Sequence, residues 1–300
     1  MPLHRLTTIT LGVPDVEAAR AFYRDFGLRE VAPGRFASAA GGEQLRLESS
    51  ERRCLLELGL AVDAHAELDP IAERLDELGA QARLEEAELH AVDPGTETAI
   101  VVQVTDRVAP RPLERLATNA PGRSERVGAR SGAVLNTEPI CPSKLGHVVL
   151  ASPDPERSIA FFRDGLGFEV SDESAGAVFM RCSSDHHNLL VQPGPFFYLH
   201  HIAWEMADLD QIGLAARCLL ENHPESSVWG PGRHGIGSNY FWYVRDPAGN
   251  FLEYYADMDV IEDADAWKPY DWSDRMEQAL AVWGPPAPPE FFTPPDMPSR

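Results

Sequence analysis

Two stretches of the chain carry the same succession of apolar and polar positions. "ITLGVPDVEAARAFYRDFGL" (9 to 28) and "VVLASPDPERSIAFFRDGLGF" (148 to 168) each run from an apolar strand through Pro-Asp into an amphipathic helix. Each then closes on Arg-Asp and a glycine-bounded stop. Asp15 and Asp154, each following a proline, fit helix N-caps, and the pairs Phe22/Tyr23 and Phe161/Phe162 fall on the face that would cover a sheet. After the second copy, alternation in "GAVFMRC" and "HNLLVQ" predicts two short strands, and "LHHIAWEM" a new one. A helical pattern follows over 208 to 222, and two strands flank the DPAGN turn at 246 to 250. The unit of strand, helix and several strands is thus used twice in this half. The first half repeats it more faintly through "QLRLES", "CLLELGLAV", a helix near "DPIAERLDELG" and "AIVVQVTD".

Between the halves, residues 118 to 139 are rich in small, polar and Pro/Gly residues, which suits a linker and puts a boundary near residue 135. The expected division is an N-terminal domain over 1–130, a C-terminal domain over 140–258 and a tail over 259–300. The tail's proline density favours an extended course over the surface. Its Trp267, Trp272 and Trp283 are candidates to cap a site or to pack on a neighbouring subunit in a homo-oligomer, a dimer or tetramer.

Composition narrows the function classes. A chain 44% apolar and 24% charged is globular, and a formal charge of -21 makes nucleic acid and anionic membranes poor partners. The start lacks the apolar core of a signal peptide and no run approaches a membrane span, so the expectation is cytoplasmic. Cys54, Cys141, Cys182 and Cys218 are scattered, without metal or disulfide spacing, and read as reduced core thiols.

The chemistry concentrates in the second half, where seven of the ten histidines lie after residue 140. His147 begins one strand, His201 begins another, and Glu253 stands inside an apolar last strand, "FLEYY". Burying a carboxylate there is costly unless it is paired or bound to a metal. Alternation sends His201 to the face of Leu199 and Ala203, and Glu253 to that of Phe251 and Tyr255. Two histidines and one carboxylate from three strands can form a facial triad, which leaves open positions on a divalent iron. Taken singly, a strand histidine is more often a hydrogen-bonded core residue, so it is the joint placement that carries the argument.

The motifs "LGHVVLASPD", "HHNLL", "LHHIAWEM", "GPGRHGIGSNYFWY" and "DPAGNFLEYY" together resemble the type I extradiol ring-cleavage dioxygenases of the vicinal oxygen chelate superfamily, the catechol and homoprotocatechuate 2,3-dioxygenase group. The resemblance covers roughly 145 to 256, with a fainter copy over 5 to 108. It implies an α+β fold of tandem βαβββ modules, two per domain, with a half-open barrel in each domain. It implies Fe(II), or Mn(II), held by His147, His201 and Glu253, with Thr8 standing where the N-terminal copy would need a histidine. It also implies that His187 acts as acid and base near the oxygen site, and that His234 and Tyr243 hydrogen-bond the catecholate. The reaction implied is opening of a catechol by O2 beside, rather than between, its hydroxyls, giving a muconic semialdehyde. His186 and His200 receive no role beyond packing. Alternatives are another divalent-metal reaction on the same fold, such as a lyase, isomerase or thiol transferase, or a binding protein for aromatic ligands that does not turn them over.

In two places the chain departs from the homoprotocatechuate pattern. Trp229 replaces the arginine before "GPGRHG", and Val149 replaces an asparagine two residues after the first ligand. Val149, Phe179, Trp229 and Arg233 are accordingly the candidate substrate pocket, and an uncharged catechol the expected substrate, unless Arg233 points inward.

Overall fold

The computed structural model describes residues 2–108, 117–135 and 140–294. Residues 136–139 at the end of the expected linker, 109–116 and the last six residues of the tail lie outside the described residues.

In the N-terminal half, β1 (Leu3–Val13), α1 (Val16–Asp25), β2 (Arg29–Ala32), β3 (Arg35–Ala37) and β4 (Leu45–Ser49) make one module. A second follows from β5 (Cys54–Val62), α2 (Leu68–Glu77), β6 (Ala82–Glu85), β7 (Glu88–Val92) and β8 (Ala99–Val104). A short hairpin, β9 (Asn119–Ala120) and β10 (Arg123–Ser124), and one turn of helix, α3 (Gly132–Leu135), lie between the halves. The C-terminal half repeats the plan with β11 (Leu145–Ser152), α4 (Pro155–Ala160), β12 (Glu169–Ser174), β13 (Ala177–Arg181) and β14 (Leu189–Pro193). Its second module is β15 (Tyr198–Glu205), α5 (Leu209–Asn222), β16 (Ser227–Arg233), β17 (Tyr240–Arg245) and β18 (Phe251–Ala256). The strand orders are the same permutation, β2-β3-β4-β1-β5-β8-β7-β6 and β12-β13-β14-β11-β15-β18-β17-β16, and both sheets are open. This is the α+β arrangement of tandem βαβββ modules and half-open barrels that the family resemblance implies.

The caps are those the Pro-Asp pairs announce. Asp15 accepts from the backbone N–H of Ala18, and Asp154 from that of Arg157. In the second copy the helix widens after α4 into a π turn over Phe161–Leu166, with both phenylalanines buried in an edge-to-face pair. Buried residues of both domains form one continuous apolar cluster, with α1 of the first domain reaching the second domain's sheet. There Phe26 stacks on Tyr254 at 4.2 Å between ring centroids and meets Trp204 edge to face. The turns before β8 and β18 tie the domains by polar bonds as well. Asp93 accepts from Ser158 Oγ at 3.0 Å, and Asp246 from Tyr23 Oη at 3.0 Å.

Two expectations change. Only Cys182 is buried, while Cys54 and Cys141 are half-buried and Cys218 is exposed, because Cys218 sits on the outer face of α5. The tail does more than cross the surface. Trp267 and Trp272 fasten it to β12 by donating to the Ser171 carbonyl and to Asp172, and α6 (Met276–Leu280) and Phe291 then turn into the C-terminal domain. No helix among the described residues is long and apolar enough to cross a membrane.

Candidate metal centre

The central three strands of the second sheet, β11, β15 and β18, explain why three distant residues meet. Ala203 on β15 pairs with His147 on one side and with Glu253 on the other. His201 lies two residues from Ala203 and so faces the same way. The small Ala203 side chain leaves the space between them open. His147 Nε2 is 3.1 Å from Glu253 Oε2, His201 Nε2 is 3.5 Å from the same oxygen, and the two Nε2 atoms are 3.4 Å apart. Among the described residues this is the one such group, its ligand atoms all within 4.8 Å of one another.

The triangle suits three facial ligands of a six-coordinate cation, whose adjacent donor atoms lie about 3 Å apart when metal–ligand distances are about 2.1 Å. The three residues are 2%, 6% and 0% exposed, so the donors are desolvated and pre-positioned. Burial alone would push the Glu253 carboxyl up, but the imidazoles of His147, His201 and His234 set against it together hold it well below the usual carboxylate range. Burial pulls His201 down to about 4, against the pull of the Glu253 charge. An ionised carboxylate and neutral imidazoles are the protonation states that ligate. Asn239, which the sequence does not point to, donates through Nδ2 to Glu253 Oε1 at 3.0 Å, leaving Oε2 to His147 and His201. Its only signal was a place in "GIGSN", a turn-like segment.

Around this triangle stand His187, His234 and Tyr243. The His187 ring is 4.3 Å from that of His147, and its Nδ1 is 3.0 Å from Nδ1 of His186. Burial, reinforced by His147 and His186, holds His187 well below the usual histidine range. Gly237, at φ +72, closes the loop over His187, where a Cβ would come within 3.2 Å of the ring. Behind these rings, Asp172 Oδ2 lies 3.3 Å from His186 Nε2. His234 Nδ1 donates to the Leu280 carbonyl, so its Nε2 accepts from Tyr243 Oη at 3.0 Å. Burial and then the Glu253 charge raise the Tyr243 hydroxyl well above its usual range.

All six residues line a cavity of ≈ 360 Å³, with Val149, Phe179, Leu190 and Ile236 among its apolar walls. The tail supplies Met276, Ala279, Leu280, Phe291 and Phe292. Among the described lining residues there is no lysine or arginine. Two expected pocket residues stand elsewhere. Trp229 lies behind Tyr243, stacked at 5.5 Å with its Nε1 donating to the Pro285 carbonyl. Arg233 pairs with Asp257 at 2.8 Å and lies over the Tyr240 ring, pointing away from the cavity. Strand alternation accounts for Arg233, because a neighbouring His234 that faces inward sends it outward. The tail tryptophans are not lining residues either.

The chain is similar to known proteins over nearly its whole length. Residues 144–254 match the Glyoxalase/Bleomycin resistance protein/Dioxygenase superfamily. Metapyrocatechase 2 of Cupriavidus necator is 31% identical over 97% of this chain and 91% of its own length. An iron-dependent extradiol dioxygenase of Rhodococcus jostii is 29% identical over 47% of the chain and 50% of its own. The crystal structure of a Mn(II)-bound glyoxalase from Novosphingobium aromaticivorans superposes with a TM-score of 0.79 at 26% identity, over 98% of this chain and 95% of that one. On the full-length likeness to the first of these, and on the matched domain, the chain belongs to the Glyoxalase/Bleomycin resistance protein/Dioxygenase superfamily.

Proposed function

We propose that the protein is an extradiol dioxygenase that opens an uncharged catechol with O2, using Fe(II), with Mn(II) as the alternative occupant, held by His147, His201 and Glu253. The observation that carries this reading is the buried two-histidine, one-carboxylate triangle facing a cavity that also holds His187, His234 and Tyr243. The bound cation would acidify the substrate hydroxyls and bring catechol and O2 together. In the reaction, the ring bond beside one hydroxyl-bearing carbon breaks and both oxygen atoms enter the ring-opened semialdehyde, so no external reductant is consumed.

The side chains divide the remaining work. His187, neutral in its buried seat, takes a proton from the incoming catechol and returns it when the oxygen–oxygen bond breaks. Tyr243 donates a hydrogen bond to His234 and keeps its proton, and the pair presents a fixed polar edge to a substrate oxygen. Val149, Phe179 and Ile236 hold the ring's apolar edge. With no cation on the described cavity wall and Arg233 turned to Asp257, a substrate carboxylate would be buried unpaired at a cost of several kcal/mol. The Mn(II)-bound glyoxalase relative supports a second reading, a metal-dependent reaction without O2. The acid/base and hydrogen-bonding set of His187, His234 and Tyr243 favours the dioxygenase.

The test is anaerobic loading with Fe(II) or Mn(II), followed by O2 uptake with a panel of catechols. The reading expects 4-methylcatechol or 2,3-dihydroxybiphenyl to exceed homoprotocatechuate in kcat/KM by at least about tenfold, since an unpaired buried charge costs more than 1.4 kcal/mol. Absence of O2 uptake with every catechol would sink it. Four cysteines without disulfides suit a reducing cytoplasm. Exposed Val282, Trp283 and Phe292 on the tail offer apolar surface for a homo-oligomer, which light scattering checks.

A further inference from the structure

His200 takes no part in the chemistry above, yet both of its ring nitrogens are engaged and it is 7% exposed. Its Nε2 is 2.8 Å from the Phe291 carbonyl oxygen, and its Nδ1 is 2.8 Å from Nδ1 of His201. A carbonyl only accepts, so the proton of the first bond sits on His200 Nε2. In a neutral imidazole the other nitrogen is then a bare acceptor, and the second bond closes only if His201 carries its proton on Nδ1. The His201 lone pair is thereby left on Nε2, the atom that faces His147 and Glu253. The 3.4 Å contact between the two Nε2 atoms agrees, since one of them must accept.

Phe291 is seated firmly enough to serve as the anchor. It is 6% exposed, stacks on Phe251, and meets Trp229, Tyr243 and the His200 ring edge to face at 4.8 to 4.9 Å. The other histidine of the triangle lacks such a device, because His147 Nδ1 is buried with no hydrogen-bond partner among the described residues.

We propose that the C-terminal strap, through the Phe291 carbonyl and His200, fixes the proton of His201 on Nδ1 and holds its Nε2 lone pair on the metal centre. His200 is a positioning residue in this arrangement, and the tail is part of the metal site without supplying a ligand. The inference rests on His201 being a ligand.

The experiment uses the full chain, free of metal, labelled with ¹⁵N-histidine. Long-range proton–nitrogen correlation spectra are expected to show His201 protonated on Nδ1 and bare on Nε2, and a His201 protonated on Nε2 in the wild type overturns the relay. Affinity for Mn(II) is then measured by chelator competition. His200→Phe keeps a ring but neither hydrogen bond, and is expected to weaken Mn(II) binding by about tenfold or more, with His201 a mixture of tautomers. His200→Gln can still donate to the Phe291 carbonyl and accept from His201, and should stay within about threefold of the wild type. Wild-type affinity in the Phe variant, or a Gln variant no better than Phe, overturns the relay. If instead the wild type takes no Mn(II), or His201→Ala binds it equally well, the failure lies in the ligand assignment.

Discussion

The two domains share one topology and one register, so their corresponding positions can be compared directly. Thr10 pairs with Glu57 as Val149 pairs with His201, and Gly59 pairs with Val101 as Ala203 pairs with Glu253. The N-terminal counterparts of His147, His201 and Glu253 are therefore Thr8, Glu57 and Val101. Those of His187 and Tyr243 are Glu43 and His90. In the first domain Thr8 donates to the Glu43 carbonyl at 2.6 Å, and Glu43 is held between Arg35 and Arg46, with Glu57 4.0 Å from Arg46. One domain fills the mouth of its sheet with solvated ion pairs. The other buries three donors there and seals them under the tail. The lesson is that the sheet supplies a convergence point in both halves, and the side chains placed on it decide whether a cation can be held.

The largest test of that lesson converts one domain into the other. His147→Thr or Glu253→Val, each installing the N-terminal counterpart, should drop metal content measured by elemental analysis from about one per chain to a small fraction, and activity with it. Two metals per wild-type chain would mean that the first domain also binds. Within the second domain, His187→Asn should leave metal content nearly intact while slowing turnover by about 10²-fold, the scale for losing an acid/base group. Loss of metal in step with activity would make His187 a ligand and undo the triangle. The smallest effect probes where the domains are alike. Tyr23→Phe and Ser158→Ala each delete one bond across the interface, to Asp246 and Asp93 respectively, and should cost about 1 kcal/mol apiece. That lowers the melting temperature by a few degrees without touching metal content. If one variant lost metal, the polar ties would be serving the centre rather than the interface.

Much of this molecule was legible from its residues alone. Period-two alternation in "LHHIAWEM" and "FLEYY" put His201 on the face of Leu199 and Ala203 and Glu253 on that of Phe251 and Tyr255, and the repeated Pro-Asp caps announced the module. The same alternation, applied to "GRHG", is what turns Arg233 away once His234 is known to point in. Trp229 holds a motif position that suggests a pocket wall, whereas its ring packs one layer behind Tyr243. Asn239 has no signature in the sequence, because a hydrogen bond to a carboxylate leaves no periodic mark.

By itself the sequence determined the longer strands and helices, their order and the residue types brought to the centre, because periodicity and capping are local properties of the chain. Only the tertiary structure decided that the Leu280 and Phe291 carbonyls set the proton positions of His234 and His200. Backbone acceptors are the same at every residue, so what they do depends wholly on where the fold brings them.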